Sequence, residues 1–357
     1  MAGIAIGIAG AGLLGRLLAW RLARAGHRVD VFDPTPGPGP TFDGRQAAGY
    51  SAAGMLSPLA ELDNGSVQVA RLGWRSIALW RDIVAALQSR PYFAERGSLL
   101  LAHRGDQGAA TRVFARLASA ARGTPQPQQL SIEQLAELEP ALQGPTRAWL
   151  LPHEGQIDPV VTMQALHLEA RGVRWHWGRH VDGVRAGTLS FDDGSSSRFD
   201  CVFDVRGVGG RPELPVRGVR GETVWLHAPG QGLTRPVRLM HPRHRVYLVP
   251  RPGDVVVVGA SEIESEDRSP VSLRSAVELM AAAHSVMPAL AEARVMRLDS
   301  NLRPALPDNE PRSEITSGCV RINGLFRHGW LVAPAVVEDA LRICGLGLPE
   351  MAVEVSA

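Results

Sequence analysis

Ile4-Ala5-Ile6-Gly7-Ile8 runs almost directly into Gly10-Ala11-Gly12-Leu13-Leu14-Gly15, and this stretch decides the fold. From Leu13 to Arg24 apolar residues recur at helical spacing, Gly26 stops the helix, and Arg28-Val29-Asp30-Val31-Phe32-Asp33 reads as a second strand. Strand, glycine turn, helix, strand and terminal acid in this register predict a βαβ unit that binds a dinucleotide. Gly10 permits the sharp turn, Gly12 lets backbone approach a pyrophosphate, and Gly15 lets helix and strand pack closely. The helix start at Leu13 and Leu14 offers free amides with partial positive charge, and Asp33 is placed to accept hydrogen bonds from ribose hydroxyls. The unit does not say which dinucleotide it takes.

The 357 residues suffice for one large domain or two interlocked ones, and a net charge of +2 decides little. Every basic residue other than histidine is arginine, so a lysine Schiff base or lysine general base is excluded. With no basic stripe and no interleaved aromatics, nucleic acid is not an expected partner. Cys201, Cys319 and Cys344 are odd in number and far apart, which fits neither a disulfide framework nor a metal site and points to reduced thiols in a cytoplasmic protein. His241, His244 and His328 lack metal-ligand spacing and read as polar core or surface residues, so no metal is expected. No apolar run is long enough to span a membrane.

Further along, Ala47 to Pro58 is rich in small residues, which suits either a buried helix start or backbone set against something flat. Helices are expected over Val69–Leu87, Ala109–Ala121, from Asp158-Pro159 to Gly172, over Ser272–Met287, and from about Pro334 to Cys344. Phe199 to Val205 is an apolar strand ending in glycines, suited to a return beside the first strand. Val216–Leu226, Val246–Val249 and Val255–Gly259 form a strand-rich middle. The expected fold is therefore mixed α/β: a Rossmann-like dinucleotide domain from residues 1–60, 150–210 and 300–357, interleaved with an antiparallel-sheet substrate domain from 61–149 and 211–299.

Several motifs in order resemble the FAD-dependent amine oxidases of the D-amino-acid oxidase fold, most closely the glycine oxidase branch that serves thiamine biosynthesis. They are Ala52-Ala53-Gly54-Met55-Leu56, Pro215-Val216-Arg217-Gly218 or Arg220-Gly221-Glu222, Tyr247 to Arg251 followed by Gly259-Ala260-Ser261-Glu262, Leu302-Arg303-Pro304 with Asp308, and Asn323 to Gly329 with Pro334. Leu325, His328 and Val205-Arg206-Gly207-Val208-Gly209 depart from the family pattern. The resemblance implies FAD held by the first βαβ unit with Pro34, by Ala48, Gly49, Ala53, Gly54 and Met55, and by Val181 and Gly207. It adds Arg327, His328, Gly329, Trp330 and Leu331 beside the flavin. Cys319 and Cys344 lie outside the family's cysteine context, which implies non-covalent FAD.

The same resemblance implies oxidation of a small amino acid or amine by hydride transfer from Cα to flavin N5. Dioxygen is the acceptor, and an imine, then a 2-oxo acid, and hydrogen peroxide are the products. Arg303 is expected to grip the substrate carboxylate with a planar fork, Tyr247 to donate to the same group, and Arg327 to lie nearby. A quinone-linked dehydrogenase, or a flavin-binding protein acting on a partner, shares these motifs. A homo-oligomer is compatible with all of these readings.

Overall fold

The computed structural model describes residues 3–62, 65–120, 125–240 and 245–347. Six strands form one sheet in the order Arg312–Thr316, Cys319–Asn323, Cys201–Asp204, Ala5–Ala9, Arg28–Asp33 and Arg174–Trp177. All neighbours are parallel except the first pair. Ala5–Ala9 sits inside it with Ile6 and Ile8 wholly buried, which is why the strand reads as a continuous apolar run rather than an alternating one. Gly7 belongs to that run for packing: a Cβ there would fall 2.5 Å from the Phe199 ring.

Eight strands form a second sheet, Arg294–Ala305, Arg217–His227, Val255–Gly259, Arg245–Arg251, Val237–Met240, Ser98–Ala102, Arg147–Leu151 and Gln128–Leu130. Its pairings are antiparallel apart from Val237–Met240 against Ser98–Ala102. A small meander, Val181–Arg185, Thr188–Phe191 and Ser196–Arg198, caps the first sheet and was not anticipated from the sequence. Helix Val67–Ala86 comes from the stretch assigned to the antiparallel unit, yet its Val69, Ile77 and Trp80 are buried in the core of the parallel sheet.

The last helix starts earlier than expected. It spans Gly329–Ile343 and carries Pro334 inside it. Proline has no N–H to give the carbonyl four residues back. Here that carbonyl, on Trp330, accepts instead from the Trp80 indole at 2.8 Å, while the Ala335 amide donates to Ser76 Oγ at 3.1 Å. Helix Val67–Ala86 thus repairs the backbone that proline interrupts, and the break costs little. The repair also fixes the first turn, Gly329 to Leu331, where the two sheets meet.

Candidate active site

A cavity of about 870 Å³ lies between the two sheets. Every residue expected to touch FAD lines it except Gly15. Gly15 stands behind the turn, where a Cβ would come within 1.9 Å of the Gly10 carbonyl oxygen; its role is packing. Gly12 faces the open space, since a Cβ added there would meet only Ala47, at 3.7 Å. Gly12 caps the helix Leu13–Arg24 with no side-chain hydrogen bond, and the first turn holds no acid. Its leading amides are therefore left for an anion. At the end of the second strand Asp33 accepts from the Ala11 amide at 2.7 Å and from the Thr35 amide and hydroxyl at 2.9 and 2.6 Å. These bonds fix the carboxylate and leave one lone pair, on Oδ2, for a sugar hydroxyl. The arrangement fits a dinucleotide.

Behind this turn lies a residue the sequence reading passed over. Arg16 is 2% exposed and donates to the carbonyls of Ala11, Met163 and Pro38 at 2.8, 2.9 and 2.8 Å. It ties the glycine turn to two other segments and stacks over Tyr50. An arginine in a helix otherwise apolar on that face was the available signal.

The small-residue stretch is not a buried helix start. Ala48–Ser51 makes one tight turn, and the chain then runs extended into Met55–Leu56, which pairs with Gly155–Ile157. This puts backbone of Ala52 to Met55 on the cavity wall. Buried Arg251 donates to the Ala53 carbonyl from behind. Opposite, Gly329, Trp330 and Leu331 do not precede the last helix but form its first turn, so its N-terminal amides face the cavity directly.

The far end of the cavity has the eight-stranded sheet as its floor. Cross-strand register sets Arg238, Tyr247, Gly259 and Thr223 side by side in one row. Two glycines hollow this floor. A Cβ at Gly259 would fall 2.6 Å from the Tyr247 hydroxyl, and one at Gly221 would fall 2.3 Å from the Arg303 guanidinium carbon. Arg303 lies within the long strand Arg294–Ala305, opposite Val219. Its guanidinium donates to the carbonyls of Ser261 at 3.1 Å and Arg220 at 3.4 Å. Among the described residues it has no carboxylate partner. Burial lowers its pKa, a shift opposed by Tyr247 and Glu262. The Tyr247 hydroxyl has no protein hydrogen-bond partner among the described residues, and burial raises its pKa.

Arg327 is neither a solvated charge nor a free anchor. It pairs with Glu61 at 3.1 Å and Glu262 at 3.4 Å. Glu61 also binds Arg238 at 2.8 Å and lies 3.2 Å from His328 Nδ1. Burial alone would raise the Glu61 pKa, but Arg238, His328 and Arg327 outweigh it and hold the carboxyl well below the usual range. Behind the short helix Pro58–Glu61 that carries Glu61, Glu154 accepts from the Leu59 and Ala60 amides at 2.8 and 3.0 Å, and burial pushes its pKa up to about 7. The sequence reading found neither Glu61 nor Arg238. Their only signal is a charge set among apolar neighbours, in Leu59-Ala60-Glu61-Leu62 and in Val237-Arg238-Leu239. His241 and His244 lie outside the described residues. Among those described, no group of His, Cys, Asp and Glu could hold a metal, and no helix is long and apolar enough to cross a membrane.

Residues 5–339 match the family described as FAD dependent oxidoreductase. A protein of Rhizobium etli, named as the thiamine biosynthesis oxidoreductase ThiO, is 38% identical over 93% of this chain and 94% of its own. The glycine oxidase of Geobacillus kaustophilus is 26% identical over 92% of this chain and 89% of its own. The crystal structure of glycine oxidase from Geobacillus kaustophilus superposes with a TM-score of 0.82 at 24% identity, covering 97% of this chain and 95% of that one. An iminodiacetate oxidase from Chelativorans gives a TM-score of 0.81 at 22% identity, covering 98% and 97%. The chain belongs to the FAD-dependent oxidoreductase family.

Proposed function

We propose that this chain oxidises the Cα–N bond of glycine or another small amino acid, with dioxygen as acceptor, and that its product serves thiamine thiazole synthesis. One observation carries the reading: Arg303, a guanidinium with no carboxylate partner among the described residues, stands beside the Tyr247 hydroxyl, itself unpartnered among them, over a floor hollowed by Gly221 and Gly259. Arg238 and Arg327 at this end are neutralised by Glu61 and Glu262, which leaves Arg303 as the anchor for a substrate carboxylate among the described residues. FAD, held by the residues named above, would supply a hydride acceptor.

The residues divide the remaining tasks. Arg303 and Tyr247 hold the carboxylate and so fix the direction of the Cα–H bond. The amides of Gly329, Trp330 and Leu331 stabilise negative charge arriving at the wall they form. Gly10, Gly12, Leu13 and Leu14 would cradle the pyrophosphate and Asp33 would take the ribose, with Pro34, Val181 and Gly207 lining the cavity alongside. None of the three cysteines lines the cavity, which supports non-covalent FAD. In this reading residues 1–60, 150–210 and 300–357 would hold FAD while 61–149 and 211–299 would shape the substrate side, joined there by Arg303 because its strand Arg294–Ala305 belongs to the eight-stranded sheet, and Val67–Ala86 packs under the FAD unit.

The test is the visible spectrum of purified protein mixed anaerobically with glycine or sarcosine, followed by air. Bleaching by the amine and recovery in air with hydrogen peroxide support the proposal. Bleaching with recovery only on adding a quinone identifies a dehydrogenase instead. No bleaching by any small amino acid or amine rejects the oxidation of such substrates.

A further inference from the structure

Tyr247, Val249 and Arg251 alternate onto one face of the strand Arg245–Arg251, the face that packs against Ala53. Tyr247 reaches the cavity, whereas Arg251, 6% exposed, ends behind its wall. Its Nη2 donates to the Ala53 carbonyl, while Nε and Nη1 have no partner among the described residues. Nor does it form an ion pair among them. Asp158, the carboxylate whose field reaches it, instead accepts from the Val161 amide at 3.0 Å as the cap of the helix Pro159–Leu168. A buried guanidinium that no described carboxylate neutralises is thus bonded to the backbone of the cavity wall.

The peptide it grips has two sides. The Ala53–Gly54 bond is trans, so its N–H points opposite to the carbonyl that Arg251 holds. The next carbonyl, of Gly54, is held by the Ile157 amide at 2.9 Å. Gly54 lines the cavity at φ +69°, and a Cβ there would fall 2.1 Å from the Ile157 carbonyl oxygen. Its own N–H has no acceptor among the described residues. A buried amide without an acceptor is rare, and with both carbonyls tied back this one is left for a ligand.

We propose that Arg251 is a positioning residue for the flavin: it turns the Gly54 N–H to the ring and, by its charge, strengthens that donor and raises the flavin's reduction potential. The inference rests on the reading that places FAD against Ala53 and Gly54. A guanidinium on the carbonyl draws electron density from the peptide and makes its N–H a stronger donor. Reduction adds negative charge to the ring, so a stronger donor and a buried positive charge both favour the reduced form. Arg251 does not line the cavity, so substrate affinity should not depend on it.

The experiment compares FAD-loaded wild type with Arg251→Lys, Arg251→Gln and Arg251→Met. The first readout is the two-electron potential, titrated anaerobically against a reference dye. Arg251→Lys keeps the charge and should stay close to wild type. Arg251→Gln and Arg251→Met lose it, and reduction should become on the order of tenfold less favourable, a drop of about 30 mV. Arg251→Met, which also loses the donor, should fall furthest. Glycine should reduce the flavin more slowly in these two, with its saturation constant unchanged. A potential that drops as far in Arg251→Lys as in Arg251→Met overturns the proposal, because charge would then play no part.

The second readout needs no change at Arg251. Alanine labelled with 13C at its carbonyl and glycine labelled with 15N single out the Ala–Gly peptides by NMR, and Ala53→Ser identifies the Gly54 amide by its loss. In the wild-type holoenzyme that amide should move when dithionite reduces FAD. An unmoved amide overturns the placement of FAD at Gly54 and the proposal with it, even where the variants fail to fold. A moved amide with equal potentials in all four proteins overturns the role of Arg251 alone.

Discussion

At the Asp33 end of the cavity, the glycine turn and helix start at Gly10 to Leu14 meet Asp33, Val181 and Val205 to Gly209, and the turn offers backbone rather than side chains. At the Arg303 end the groups are side chains: Glu61, Arg238, Tyr247, Arg303, Arg327 and His328, drawn from five separate stretches of chain. Backbone amides at a helix start present the same donors whatever the neighbouring side chains are, so the first end tolerates substitution wherever space is kept. The second end depends on charge balance. Glu61 is shared by two arginines and a histidine, and replacing one member changes the field on the others. Binding at the first end should thus be sensitive to volume, and chemistry at the second to charge.

Gly12→Val tests the volume side and should have the largest effect. A branched side chain would occupy the open space that only Ala47 now borders, at 3.7 Å, and FAD retention should be lost on purification. Normal FAD content in that variant would mean that the cavity is not entered at Gly12. Arg303→Lys tests the charge side. It keeps the charge and loses the planar fork, with an expected cost of about 2–4 kcal/mol, or thirty- to a thousand-fold in kcat/KM. FAD content should not change.

Two smaller effects sharpen the contrast. Burial raises Glu154 from 4.5 to about 7, so the folded protein keeps a proton that the unfolded chain gives up. The stability from this group is complete below pH 4.5 and is lost as pH rises through 7. Glu154→Gln should remove that dependence, gaining about 3 kcal/mol relative to wild type between acid and mildly alkaline pH. Unfolding midpoints across that range check it, and parallel curves for the two proteins would contradict it. Tyr247→Phe should cost about 2 kcal/mol in kcat/KM, roughly thirtyfold, with an unchanged unfolding midpoint. Among the described residues its hydroxyl has no protein partner to lose. A drop in midpoint with normal kinetics would assign the hydroxyl to the fold instead.

The same contrast explains what could be read from the sequence. The turn at Gly10 to Gly15 is a local pattern, in which spacing along the chain fixes spacing in the fold. The return of Cys201–Asp204 beside Ala5–Ala9 was legible because its apolar run ends in glycines. The start of the last helix was not, because Pro334 reads as a helix opener until Trp80 and Ser76, from a distant helix, are seen to take over its bonds. Glu61 and Arg238 were missed for a related reason. An isolated charge in an apolar stretch has no meaning until its partner, 177 positions away, is known. Arg303 stood out only through the Leu302-Arg303-Pro304 motif, and nothing local to that motif places it inside the long strand Arg294–Ala305.

The most direct test of the central claim, that Arg303 holds the substrate carboxylate, compares two amines across two proteins. Anaerobic flavin bleaching is followed for glycine and for ethylamine in wild type and in Arg303→Ala, each with its FAD content measured. The account predicts a loss beyond a thousandfold for glycine, a much smaller loss for ethylamine, and equal FAD content. Equal bleaching of both proteins by glycine, or the same loss for both amines, would contradict it.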